Sequence, residues 1–171
     1  MIDIKLKEEL KIYIEKHYVK PDTDFYDASE ADEEISCLQY DDEGLTVNER
    51  VKRDLQNFND ILRTYIRNYN KKNNTKDSDI YKKANIPKEH FNKIINQKIK
   101  PQKKPLIALG IALDLTKEEI ENLLHSAGFH LTNTSKLDII VLYCLEKDIR
   151  DIMMINEILY ENGVECLGST K

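Results

Sequence analysis

Lys88, Glu89, Asn92 and Lys93 are the residues of this chain whose types and spacing could carry recognition chemistry. Set on a helix at i, i+1, i+4 and i+5, they share the face opposite Phe91 and Ile94, so the apolar pair turns inward and the polar set meets solvent. An ammonium donates to guanine acceptors, a side-chain amide pairs with adenine, and a carboxylate accepts from cytosine, which equips the set to read base edges in a DNA major groove. Lys98, Lys100, Lys103 and Lys104 follow in the next stretch, where they suit phosphates better than bases. The plainer alternative is that all eight are solvated polar positions of a helical domain.

The elements that must hold these residues are legible around them. An apolar-periodic helix over 78–84 is followed by a break at Asn85, Ile86 and Pro87, then by a second short helix over 88–97. Two short helices across a three-residue turn form a helix–turn–helix unit. Asn85 is among the few non-glycine residues that tolerate the left-handed backbone such a break requires, and Pro87 suits a helix start, where its missing N–H costs nothing. Ile80, Ala84, Ile86, Phe91 and Ile94 are expected to converge as a small core. Pro101 and Pro105 end one helix and begin the next, along which Leu106, Leu109, Leu113 and Leu115 fall at helical spacing. Thr116 and Glu119 form a capping-box pattern, so a further helix begins at Thr116 and closes at the Gly128 stop signal.

This order of elements resembles the lambda-repressor-like, or XRE-family, helix–turn–helix domain of bacterial and phage regulators. The resemblance covers roughly residues 58–128, with 58–69 standing as the family's first helix. Its most specific stretch is 84–97 with Pro101 and the run 109–115, similar to the family's turn, recognition helix and fourth helix. The continuation over 135–168 also looks like the tail of a subgroup. Asn85 stands where the family usually has glycine, Pro87 where it has serine or threonine, and Glu89 in the part that usually faces bases. The resemblance implies sequence-specific binding of double-stranded DNA in transcriptional control.

Charge is unevenly placed. Residues 1–60 carry eight Lys/Arg against seventeen Asp/Glu, a balance of −9, whereas residues 76–105 carry nine Lys against three acids, a balance of +6. A positive patch on the reading element is the footprint expected of a polyanion binder, and the overall charge of −5 implies limited non-specific affinity with strong salt dependence.

Other classes of function find little footing. Gly-rich phosphate loops and nucleophile-elbow patterns are absent, so no enzyme activity and no cofactor are expected. Cys37, Cys144 and Cys166 are far apart and odd in number, which argues against a disulfide framework and a paired zinc motif. His17, His90, His125 and His130 show no ligand spacing; His125 and His130, five apart with Gly128 between, are expected on different faces, and no metal site is expected. No run of about twenty apolar residues exists, and the N-terminus is charged from its third residue, so neither a membrane span nor a secretory signal is expected and a cytoplasmic location follows.

The remaining chain divides into an acidic N-terminal helical extension (1–45), the helix–turn–helix domain (46–130) and a C-terminal helical pair (131–171). Leu6, Leu10, Tyr13, Ile14 and Tyr18 form one stripe of an amphipathic helix that Pro21 stops. The acidic stretch 22–44, interleaved with aromatics, is a loop, a short helix over 29–38, or a segment ordered by a protein partner. A capping box at 46–49 starts a helix to about Asn70, and the polar residues 70–75 read as a loop. Ser135 and Asp151 offer caps for two apolar helices, of which the first must be buried nearly all round; a short strand competes there. Their surplus apolar surface suggests a homodimer, though packing on the N-terminal helix would use it equally well. With 171 residues, 40% apolar composition, five glycines and four prolines, the expected architecture is all-α. The reading is a sequence-specific DNA-binding transcriptional regulator; the alternative is a helix–turn–helix-fold interaction adaptor with no functional DNA contact. RNA is disfavoured, because a helix without an exposed aromatic platform does not suit it.

Overall fold

The computed structural model describes the backbone of residues 3–20 and 47–168 and the side chains of 3–20 and 57–168. The suggested helix over 29–38, the capping box at Thr46 and the acidic stretch as a whole lie outside the described residues. Eight helices and no strand are found among the described residues: α1 (Ile4–His17), α2 (Val47–Asn73), α3 (Asp77–Lys83), α4 (Lys88–Ile95), α5 (Lys103–Ala112), α6 (Lys117–Ser126), α7 (Lys136–Glu146) and α8 (Ile152–Glu161).

Local chemistry accounts for where the helices begin. The Thr116 hydroxyl accepts from the Glu119 N–H at 3.2 Å while the Glu119 carboxylate accepts from the Thr116 N–H at 2.8 Å, a reciprocal box that starts α6. Ser135 starts α7, and the Asp151 carboxylate accepts from the Met153 N–H at 2.8 Å to start α8. The ends follow one rule. Each of α3 to α8 is followed by a left-handed residue, respectively Asn85, Gln97, Asp114, Gly128, Asp148 and Gly163. The next amide then reaches back five residues, as from Ile86 to the Tyr81 carbonyl (2.9 Å) and from Leu115 to the Gly110 carbonyl (3.1 Å). This closure satisfies the last orphan carbonyls and reverses the chain within two residues.

α2 runs to Asn73, so residues 70–73, expected as loop, are helical. Asn70 is the reason: its amide donates to Asp77 at 2.7 Å and its oxygen accepts from the Thr75 hydroxyl at 3.0 Å, which holds the last turn, and Lys71 and Lys72 sit favourably at the negative end of the helix. On α2, Phe58, Leu62 and Ile66 recur every fourth residue and are buried.

One hydrophobic core runs from Leu10 in α1 to Leu167 beyond α8 and includes the expected quintet Ile80, Ala84, Ile86, Phe91 and Ile94. α5 is its axis, buried from Pro105 to Ala112 and packed against α3, α6 and α8. α7 is helical throughout, which removes the strand alternative, and is enclosed by α1, α6 and α8. On the α1 side, the Tyr13 and Tyr143 rings lie 5.1 Å apart and the Lys147 ammonium is 2.6 Å from the Glu9 carboxylate. Of the apolar surplus of the two C-terminal helices, the part on α7 is thus used inside the chain. Large apolar side chains left exposed on α8 are Met153 and Tyr160.

Candidate nucleic-acid interface

α4 is held at its base and at both ends. Phe91 and Ile94 are 2% and 1% exposed, and Phe91 packs its ring 5.6 Å from that of Tyr81 on α3. At its start Asn85 takes φ 54°, the left-handed turn expected there, and Pro87 precedes the first helical residue. At its end the Ile95 carbonyl accepts from the Asn59 amide at 2.6 Å and from the Arg63 guanidinium at 2.9 Å. Arg63 also donates to the Asn59 oxygen at 2.6 Å, so the two α2 side chains act as one clamp. A cation at the negative end of α4 adds a favourable charge–dipole term.

The face opposite this base carries Lys88, Glu89, Asn92 and Lys93, all exposed and joined by no hydrogen bond or ion pair to another described side chain. Lys98 and Lys100 are also exposed, on either side of the half-buried Ile99. The geometry separates them from the other two lysines. The Lys103 ammonium lies 2.6 Å from Oδ2 of Asp138, a carboxylate with no exposed surface, which also accepts from the Thr132 N–H at 2.9 Å and the Thr132 hydroxyl at 3.1 Å. Lys104 pairs with Glu165. Six of the eight residues are therefore exposed, while Lys103 and Lys104 are engaged by carboxylates 35 and 61 residues away.

Lys82 was not singled out by spacing, yet it is exposed at the end of α3 and borders, with Lys88, a shallow depression over the α3–α4 turn. Lys83 is otherwise employed: it bonds Asp114 at 2.8 Å and lies over the Tyr69 ring. Burial alone would lower its pKa, but its hydrogen bonds to Asp114 and Tyr69 prevail and raise it. His90, half-buried within α4, has an Nε2 with no hydrogen-bond partner. Burial, and secondly the Lys93 charge, hold its pKa below the usual histidine range, so it is neutral near pH 7. The positive potential of this face comes from its lysines.

The histidine expectation needs a correction in one respect. The left-handed turn at Gly128 sends the chain back along α6, and the rings of His125 and His130 lie 5.0 Å apart rather than on separate faces. Among the described residues no group of three or more His, Cys, Asp or Glu is placed to hold a metal ion. Cys144 is buried in α7, and burial pushes its thiol up to about 12, which keeps it protonated and unreactive near neutrality. No described helix is long and apolar enough to cross a membrane. No family model, curated protein or solved structure matches the chain.

Proposed function

We propose that the protein is a sequence-specific DNA-binding regulator of the lambda-repressor-like helix–turn–helix type, with α3 as the supporting helix and α4 as the reading helix. The observation that carries this reading is the exposed face of α4. Lys88, Glu89, Asn92 and Lys93 project together from a helix whose opposite face is buried and whose end is clamped by Asn59 and Arg63. A helix of eight residues so held offers its first two turns to a major groove, and these four side chains can address guanine, cytosine and adenine edges. In this reading the exposed Lys98 and Lys100 hold phosphates, and the exposed Lys82 adds a third cation at the α3 end. Two copies on a symmetric site would place two such helices about one turn of DNA apart.

The adaptor reading draws on Glu89, a carboxylate at the centre of the face that phosphates would repel. Replacing Lys88 and Lys93 by alanine separates the two. For a DNA reader each replacement weakens binding to the selected duplex by roughly 1–3 kcal/mol and relaxes the preference at one base position. Unchanged duplex affinity in the double variant rejects the reading in favour of the adaptor.

A further inference from the structure

Beyond α8, residues 162–168 do not run off into solvent. They return to the turn between α3 and α4. Val164 closes α8 through its N–H to the Leu159 carbonyl at 2.9 Å. Leu167 is then fully buried, and the buried Asn156 side chain grips its backbone in both directions: Asn156 Oδ1 accepts from the Leu167 N–H at 2.7 Å and Nδ2 donates to the Leu167 carbonyl at 3.2 Å. The amide satisfies both main-chain polar groups of Leu167 and so fixes this non-helical segment. Gly168 comes next with φ +72°, so close to the turn that an added Cβ would lie 2.5 Å from the Ala84 carbonyl oxygen and 2.7 Å from that of Asn85. Those are the carbonyls about which the chain pivots from α3 into α4.

We propose that residues 164–168 form a brace that sets the turn, and through it the direction of α4, with Asn156 as the positioning residue. The proposal rests on the reading of α4 as the DNA-contacting helix, and it adds that the C-terminal pair belongs to the reading head mechanically. Asn156 touches no nucleic acid; it acts through Leu167 and Gly168 on Ala84 and Asn85. A change at the C-terminal end is therefore felt at Lys88, the first residue of α4.

Glycine pairs make the test specific. Gly163 has φ +70° with nothing within 4 Å of an added Cβ, so Gly163→Ala incurs the same left-handed strain as Gly168→Ala without pressing on the turn. Amide hydrogen exchange and amide NMR shifts of residues 84–91 are compared in the full chain without DNA, alongside the thermal midpoint and the affinity for a selected duplex. In Gly168→Ala we expect at least tenfold faster exchange at Ile86 and Phe91, whose amides bond the Tyr81 and Pro87 carbonyls, displaced shifts at Ile86 and Lys88, at least tenfold weaker duplex binding, and a midpoint below that of Gly163→Ala. Asn156→Ala, which removes both bonds to Leu167, is expected to speed exchange at the same residues and serves if Gly168→Ala fails to fold. If residues 84–91 behave alike in Gly168→Ala, Asn156→Ala and Gly163→Ala, the brace is overturned. If exchange responds but the unaltered chain selects no duplex, the brace stands and the DNA reading fails.

Discussion

The side-chain amide of Asn59 donates to the main-chain carbonyl of Ile95 at 2.6 Å, tying the middle of α2 to the last residue of α4. Asn59 is 4% exposed and also accepts from Arg63, so its loss leaves a helix-end carbonyl and a guanidinium short of a partner. Asn59→Ala is expected to lower stability by roughly 1–3 kcal/mol, the cost of unpairing buried polar groups. The urea midpoint of unfolding measures it, and a midpoint equal to that of the unaltered chain would show that the clamp does not hold α4.

The four lysines at positions 98, 100, 103 and 104 are expected to divide by role. Lys103→Ala strips the fully buried Asp138 of its cation, leaving Thr132 as its donor, and should cost about 3 kcal/mol of stability. Lys98→Ala and Lys100→Ala should change stability by less than about 0.5 kcal/mol, because these side chains are exposed. Each should instead reduce the salt slope of duplex binding by roughly one unit. Equal stability loss across Lys98, Lys100 and Lys103 would contradict this division.

Acid should weaken the fold through His90. Its folded pKa lies below the ordinary 6.5 because of burial and then Lys93, so the unfolded chain binds a proton that the folded chain resists. This contribution is flat above about pH 7.5, and stability falls as pH drops through 6.5 toward the lower folded value. His90→Gln should flatten that part of the stability–pH curve between pH 7.5 and 5.5. An unaltered slope in the variant would assign the acid sensitivity elsewhere.

Gln97 holds φ 54° directly after Asn96, the C-cap of α4, in a left-handed conformation that asparagine and aspartate tolerate better than glutamine. Gln97→Gly should therefore raise stability by about 0.5–1 kcal/mol. Differential scanning calorimetry resolves such a gain, and a lowered midpoint would mean that the exposed Gln97 side chain supports the helix end.

The parts of this architecture legible in the sequence are those built from neighbours along the chain. Thr116 with Glu119, Asn85 in the turn, and the inward set of Ile80, Ala84, Ile86, Phe91 and Ile94 all depend on spacings of a few residues. What escaped reading depends on partners far along the chain or on where a helix ends and turns. Lys103 looks like any loop lysine until α7 delivers Asp138, and Asn59 looks like a polar helix residue until α4 ends against it. The polar run 70–73 is helical because Asn70 finds Asp77 and Thr75, and His130 meets His125 because Gly128 reverses the chain. The outward face of α4 was legible for the opposite reason, since exposed residues owe their arrangement to the helix period alone.

The most direct test of the DNA reading is selection of the purified chain against a pool of random duplexes, with affinity for the recovered sequences titrated against salt. The account predicts enrichment of a defined motif, with affinity falling steeply as salt rises and the preference relaxing when Lys88 or Lys93 is replaced by alanine. Recovery of no motif, with only weak binding at low salt, would contradict it.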